Sequence, residues 1–216
     1  VISTGDFLAH KNAVPVALDA LDELLDLPGL FVFGSNDYYE PVPKNPLKYL
    51  LPNHGKRVHG PELPWQELDA GLQARGWKNI NTSRTTITIN KTVIEARGTD
   101  DAHLEFDDYS LVAGEPEKCH VAIGVTHAPY LRVLDAMVED EIPLILAGHT
   151  HGGQLCLPFF GALVTNCDLD TRRAKGLHKY QDAWLHVSAG LGTNPFTPVR
   201  FACRPEATLL TLTAAY

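Results

Sequence analysis

Short apolar runs alternate with amphipathic segments along the first two thirds of the chain. The apolar runs are continuous and bounded by turn residues, as is typical of buried strands in a parallel sheet. Strands are predicted at 1–2, 30–33, 121–125 and 143–146. The amphipathic segments repeat their apolar positions every three or four residues, so helices are predicted at 14–25, 63–75 and 130–139. This order of elements predicts an α/β fold.

The rest of the chain combines extended segments with one long polar stretch. Residues 85–90 and 92–96 alternate and are rich in β-branched side chains, and Asn90-Lys91 between them predicts a hairpin. Further strand candidates lie in the tail, at 184–188, 199–203 and 208–213. Residues 34–64 are rich in Pro, Asn, Gly and Tyr and predict a long loop of the kind that carries function. Together the patterns predict a sandwich with more than one sheet.

Composition places the chain among ordinary globular proteins and limits its partners. A length of 216 residues is enough to bury about 70% of the unfolded surface, so a metal is not needed merely to hold a core. Four irregularly spaced cysteines are predicted to be free thiols. The net charge of −8 argues against sequence-independent binding to nucleic acid or to an anionic membrane. No apolar run approaches the roughly 20 residues of a membrane span.

Four predicted strands run directly into residues that bind divalent metals. The residues are Asp6, Asn36 with Asp37, His127, and His149 with His151. Because ligand sites in open α/β sheets gather beyond the carboxyl ends of strands, these side chains are expected to meet at one edge. His149 and His151 are two apart and project to the same side of an extended segment, between glycines that allow a sharp turn.

The order of these motifs resembles that of the calcineurin-like metallophosphoesterase superfamily, in particular its bacterial members. Gly5-Asp6 matches the G-D motif, and Gly34-Ser35-Asn36-Asp37 resembles G-N-H-D/E. His127 matches the lone histidine, and Gly148-His149-Thr150-His151 matches G-H-x-H. The resemblance implies a four-layer α/β/β/α sandwich of two mixed sheets, with the metal site at the carboxyl ends of the strands.

The resemblance also implies the roles of the site residues. Asp6 would bridge two divalent ions (Mn, Fe, Zn or Co), with Asn36, His127 and His149 completing one site and His151 joining the other. Two ions roughly 3.5–4 Å apart clamp a phosphoryl group and lower the pKa of a bridging water to supply hydroxide. The expected reaction is metal-dependent hydrolysis of a phosphomonoester or phosphodiester. Asn36 and Asp37 are the catalytic candidates.

Two features depart from the family pattern. The D-x-H motif is absent, and the nearest string, Asp101-Ala102-His103, lies in the wrong order and receives no role. Either an upstream segment carries the motif, which the opening on a core strand at Val1-Ile2 favours, or the protein has one good metal site. The single domain at 1–216 is therefore expected to lack its first strand. In addition, Asp37 replaces the catalytic histidine, and a carboxyl group beside metal ions tends to stay ionised, which weakens it as an acid.

Two alternatives compete with the phosphoesterase hypothesis. A metal-binding scaffold or sensor that has lost turnover is suggested by the missing D-x-H and by Asp37. A hydrolase of the metallo-β-lactamase type expects H-x-H-x-D-H, and Gly152-Gly153 after His151 argues against it. The expected substrate is a small phosphate ester or a lipid or nucleotide headgroup rather than nucleic acid. Location stays open between the cytoplasm and the membrane periphery, and so does the oligomeric state.

Overall fold

The computed structural model of the protein describes residues 1–43 and 59–213. Strands and helices alternate through the first part of the chain, and strands predominate in the second. The strands are β1 (Ile2–Ser3), β2 (Leu30–Phe31), β3 (Lys78–Asn79), β4 (Ser83–Ile89), β5 (Thr92–Gly98), β6 (Val121–Val125), β7 (Leu144–Ala147), β8 (Cys156–Leu157), β9 (Gly161–Ala162), β10 (Gly176–Tyr180) and β11 (Ala183–Val187). The helices are α1 (Val14–Ala20), α2 (Asp22–Leu25), α3 (Ser35–Tyr38), α4 (Trp65–Ala74) and α5 (Leu131–Glu139).

The strands form two main sheets and a small hairpin. The larger sheet has six strands in the order β10-β11-β7-β6-β5-β4 and is mixed, because its central pairs are parallel and its two outer pairs antiparallel. The smaller sheet has the order β1-β2-β3 and is parallel in both pairs. The α/β class and the presence of more than one sheet are confirmed. The expectation of two mixed sheets is wrong for the smaller one.

Alternation along the strands distributes apolar side chains among three cores. In and just beyond β2, Leu30 and Val32 pack with side chains of the larger sheet, whereas Phe31 and Phe33 pack with α1 and α4. In β7, Leu144 and Leu146 join the core shared by the sheets, whereas Ile145 packs towards α5. A strand exposes successive side chains to opposite faces, so each of these strands is covered on both sides.

Most predicted elements form, with shifted bounds. The β4–β5 hairpin is confirmed, and its turn residues Asn90 and Lys91 both have positive φ, as a tight two-residue turn requires. The predicted helix 14–25 divides into α1 and α2. The stretch 34–64, predicted to be a loop, contains the short helix α3, and its residues 44–58 lie outside the described part.

The tail departs further from the prediction. The strand at 184–188 forms as β11, paired with β10 and β7. Residues 199–203 contribute only an isolated bridge between Leu155 and Phe201, and the described residues of 208–213 form no strand. β-branched composition alone does not make a strand, since a strand also needs a partner edge.

Candidate metal centre

Two glycines allow the ends of β1 and β2 to approach closely. Gly5 and Asp6 both have positive φ, at 91° and 62°, and form a tight turn after β1. A Cβ added at Gly5 would lie 2.5 Å from the backbone nitrogen of Gly34. Only glycine therefore lets the turn after β1 rest on the turn after β2.

Four of the predicted ligands form a continuous chain of contacts. The backbone N–H of Asn36 donates to Asp6 Oδ1 at 2.9 Å, and Asn36 Nδ2 donates to Asp6 Oδ2 at 2.8 Å. His127 Nε2 lies 3.5 Å from Asp6 Oδ1 and 3.3 Å from His149 Nδ1. The ends of β1, β2, β6 and β7 thus place Asp6, Asn36, His127 and His149 side by side, as their positions at strand ends predicted.

The two histidines of this chain are oriented by backbone carbonyls. His127 Nδ1 lies 2.6 Å from the carbonyl oxygen of Thr4, which leaves Nε2 facing Asp6 and His149. His149 Nε2 lies 3.2 Å from the carbonyl oxygen of Asn166. A hydrogen bond at one ring nitrogen fixes the orientation of a histidine and the role of its other nitrogen, as is common for metal ligands.

His151 belongs to the same edge but contacts different neighbours. It begins a short 3-10 turn after β7, and both His149 and His151 have positive φ, so the expectation of an extended segment at these two histidines is wrong. Its Nδ1 lies 3.2 Å from Oε1 of Gln154. His151 also acts electrostatically on Asp6, since it helps to lower the pKa of that carboxyl group. The structure therefore brings His151 near the four-residue chain without the direct contacts that join the other four.

The charges of the cluster are balanced by its own members. Burial raises the pKa of Asp6, but the histidines and the backbone N–H of Asn36 outweigh burial and hold the pKa below its ordinary value. Burial lowers the pKa of His127, but Asp6 and Asp101 outweigh burial and raise it. Burial, His103 and His127 lower the pKa of His149 well below its ordinary value. Asp6 is accordingly ionised and His149 neutral near pH 7, the forms in which these groups bind metals.

Asp37 is buried and faces the backbone. Its Oδ1 accepts from the N–H groups of Phe7 and Leu8 at 2.7 and 3.0 Å, and its Oδ2 from Asp6 and Gly34 at 2.8 and 2.9 Å. Burial and the charge of Asp6 raise its pKa to about 7, against the backbone donors, which favour the charged form. The geometry favours a positioning role that ties the two turns together. The assignment of Asp37 to catalysis stays a prediction.

A fifth strand end, which the sequence reasoning had not counted, also reaches the cluster. β5 and β6 are parallel neighbours, and beyond β5 lie Asp101 and His103. The ring centroid of His103 is 4.4 Å from that of His149, and His103 lines a cleft together with Asn36 and Tyr39. The signal in the sequence is the acidic pair Asp100-Asp101, which follows the second strand of the predicted hairpin.

The donors of the cluster fit a divalent cation. Within residues 1–43 and 59–213, no group of three or more His, Cys, Asp or Glu side chains is arranged as a ready metal-binding site. The donors are hydrogen-bonded to one another instead, and the Asn36 amide would have to turn to present its oxygen. Space for their approach is kept by Gly34, where an added Cβ would lie 2.4 Å from both Asp6 Oδ1 and His127 Cε1. A carboxylate, an amide and imidazoles together suit Mn, Fe, Co or Zn.

Comparison with known proteins finds relatives that are named metallophosphoesterases. The chain is 31% identical over 212 residues to the uncharacterized metallophosphoesterase YkoQ of Bacillus subtilis (strain 168), covering 95% of this chain and 69% of YkoQ. The chain belongs to the calcineurin-like metallophosphoesterase superfamily. The chain is also 31% identical over 135 residues to the uncharacterized metallophosphoesterase YkuE of the same strain, covering 61% of this chain and 45% of YkuE.

A third relative carries a more specific name. Phosphodiesterase YaeI of Escherichia coli (strain K12) is 35% identical over 78 residues, which cover 36% of this chain and 28% of YaeI. No model of a protein family matches the chain. The chain spans between 28% and 69% of the length of the curated relatives it matches. Among the described helices, none combines the length and apolarity that crossing a membrane requires.

Proposed function

We propose that this protein hydrolyses phosphate esters in a reaction that depends on divalent metal ions. The observation that carries the proposal is the partly buried chain of contacts from Asn36 through Asp6 and His127 to His149, at the ends of four strands. These residue types are the ones that bind borderline divalent metals, and the family is that of the metallophosphoesterases. The three cores support a four-layer α/β/β/α arrangement of helices and sheets around this edge.

In the proposed centre, Asp6 would contribute to both ion sites. Asn36, His127 and His149 would help to hold one ion, and His151 would help to hold the other. Two ions held there would clamp the phosphoryl group and lower the pKa of a water molecule that serves as the nucleophile. The Thr4 and Asn166 carbonyls hold the imidazoles in the orientation that points their other nitrogens into the cluster. Asp37 keeps the turns of Asp6 and Asn36 in register through its four backbone hydrogen bonds.

The proposed substrate is a phosphodiester of a small molecule, or of a lipid or nucleotide headgroup. The name of YaeI, a phosphodiesterase, favours a diester over a monoester. The cleft beside the cluster is lined by Tyr39, His59 and Asn194 as well as by Asn36. An aromatic face next to polar groups suits the organic part of an ester, while the ions would meet its charge.

A metal-binding scaffold or sensor without turnover is the second candidate. It is favoured by the lack of the G-N-H-D/E histidine in Gly34-Ser35-Asn36-Asp37 and by Asp37, whose two carboxylate oxygens are both engaged by backbone N–H groups. A scaffold would keep the affinity for metal and lose the proton transfer to the leaving group.

Hydrolysis of bis-p-nitrophenyl phosphate and p-nitrophenyl phosphate separates the two candidates. The protein is stripped with a chelator, reloaded with Mn²⁺, Co²⁺ or Zn²⁺, and assayed beside the stripped sample. We expect release of nitrophenol that requires the metal and is faster with the diester. Bound metal without hydrolysis of either ester would favour the scaffold, and equal hydrolysis with and without metal would contradict both candidates.

A further inference from the structure

Asp101 is brought to the metal centre by the pairing of β5 with β6. Gly98 and Val125 are register partners at the carboxyl ends of these parallel strands. Just beyond them, Thr99 Oγ1 donates to Thr126 Oγ1 at 3.1 Å, so the segments that follow β5 and β6 remain adjacent beyond the sheet. Asp101 therefore leaves β5 on the same edge on which His127 leaves β6.

Within the described residues, only one oxygen of the Asp101 carboxylate has a hydrogen-bond partner. The side chain is fully buried, and its Oδ1 accepts the backbone N–H of His103 at 2.9 Å. Its Oδ2 is buried and has no hydrogen-bond partner within the described residues. An unpaired buried carboxylate oxygen is costly, and such atoms are often explained by an ion or water.

The neighbouring Asp100 shows the contrast. Its Oδ1 accepts from the Tyr38 hydroxyl at 2.8 Å, from Asn81 Nδ2 at 3.1 Å and from the N–H of Asp101 at 2.7 Å. The Asp100 carboxylate is thus held by protein donors. Among residues 1–43 and 59–213, the Asp101 carboxylate has a single donor, and the charged groups that act on it include His127 and Asp6.

We propose that Asp101 is a further acidic residue of the cation site, with Oδ2 as an additional oxygen donor for a divalent ion held by Asp6 and His127. The inference rests on the proposed metal-dependent function. A divalent cation would bind the unpartnered carboxylate oxygen of Asp101 and would offset the repulsion between Asp101 and Asp6. Hard and borderline divalent ions accept a carboxylate beside imidazole and amide ligands.

The test compares Asp101→Asn with Asp100→Asn. In Asp101→Asn the amide oxygen still accepts from the His103 N–H, whereas the charge and the oxygen at Oδ2 are lost. Titration calorimetry with Mn²⁺ gives the affinity and stoichiometry, and thermal unfolding without metal gives the stability. We expect Asp101→Asn to bind Mn²⁺ about 10-fold or more weakly, with an unchanged or higher melting temperature without metal. Asp100→Asn should bind Mn²⁺ like the wild type and melt at a lower temperature.

The possible results distinguish failure of the inference from failure of the proposed function. Wild-type affinity in Asp101→Asn would overturn the role of Asp101 while leaving the metal-dependent function intact. Failure of the wild type to bind any of Mn²⁺, Co²⁺ or Zn²⁺ would contradict the proposed function and the inference together. If Asp101→Asn does not fold, Asp101→Ser replaces it, because a hydroxyl oxygen can still accept from the His103 N–H. Wild-type Mn²⁺ affinity in Asp101→Ser would overturn the inference equally.

Discussion

At the scale of single residues, Asp6 is the centre of the proposed site. The isosteric change Asp6→Asn keeps an oxygen for the Asn36 N–H but removes the charge that pairs with His127 and His149. We expect loss of bound metal and a decrease of at least about 100-fold in phosphodiester hydrolysis. Elemental analysis of the purified variant and the nitrophenyl ester assay measure both effects. His178→Ala, on β10, serves as the control and should retain metal and activity; unchanged metal content in Asp6→Asn would refute its assignment as a ligand.

Asp37 separates a positioning role from a catalytic one. In the native protein, four backbone N–H groups, those of Asp6, Phe7, Leu8 and Gly34, donate to the two carboxylate oxygens of Asp37. Asp37→Asn keeps a single acceptor oxygen, so some of these N–H groups lose their partner. At about 1–3 kcal/mol for each buried unsatisfied group, we expect the free energy of unfolding to fall by about 2 kcal/mol or more. Urea denaturation measures this change.

The catalytic alternative for Asp37 has a different signature. A leaving-group acid matters most for esters whose alcohols leave poorly. If Asp37 acts only by position, any loss of activity in the folded Asp37→Asn variant should be the same for nitrophenyl and phenyl esters. A loss that grows steeply with the pKa of the leaving alcohol, with normal stability, would assign Asp37 to proton transfer.

The residue types at strand ends were predictable from the sequence because each follows an apolar run directly. The contacts of Asp37 were not predictable, since they depend on how the turn at Asp6 meets the N-terminus of α3. Asp101 was missed for a related reason. Its proximity to His127 follows from the parallel pairing of β5 with β6, which local patterns do not encode.

At the scale of elements, the close approach of two turns is what gathers the donors. Gly34 has an ordinary φ of −114°, so Gly34→Ala introduces no backbone strain and tests only the space between Asp6 and His127. We expect it to weaken Mn²⁺ binding by about 10-fold or more, because the donors must move apart. Gly192→Ala, where an added Cβ meets nothing within 4 Å, is the matched control. Equal Mn²⁺ affinity in the two variants would show that the packing at Gly34 is irrelevant to the site.

A buried ion network joins β5 to the end of α5. Arg97 Nε donates to Glu95 at 2.6 Å, and its Nη1 donates to Asp140 at 2.8 Å. Arg97 and Glu95 are fully buried, so Arg97→Met leaves Glu95 as a buried charge whose remaining counterion among the described residues is Arg84. We expect a loss of about 3–5 kcal/mol in the free energy of unfolding, with Mn²⁺ affinity of the folded protein unchanged. A decrease below about 1 kcal/mol would mean that Arg84 compensates.

At the scale of the whole molecule, the sequence predicted the order of elements better than their pairing. Apolar runs and helical spacing were enough to predict the α/β class and the β4–β5 hairpin. The parallel pairing throughout the smaller sheet was not predictable, because sheet order depends on contacts between distant segments. The tail segments 199–203 and 208–213 have strand composition but no ladder within the described residues.

The net charge of −8 is compatible with an anionic substrate if cations occupy the site. Asp6, Asp37 and Asp101 bring three carboxyl groups to this edge, and a divalent ion would offset the repulsion that Asp6 exerts on the other two. The acidic groups at this edge therefore favour a bound cation, and the cation would then attract a phosphate ester. The central hypothesis is that one cluster, formed by Asp6, Asn36, His127 and His149, holds the ion.

Anomalous diffraction from crystals of the Mn²⁺-loaded protein tests that claim most directly. We expect an anomalous peak within bonding distance of Asp6, Asn36, His127 and His149, which disappears in crystals of Asp6→Asn. A peak elsewhere on the protein, or no peak at this cluster in crystals grown with saturating Mn²⁺, would contradict it.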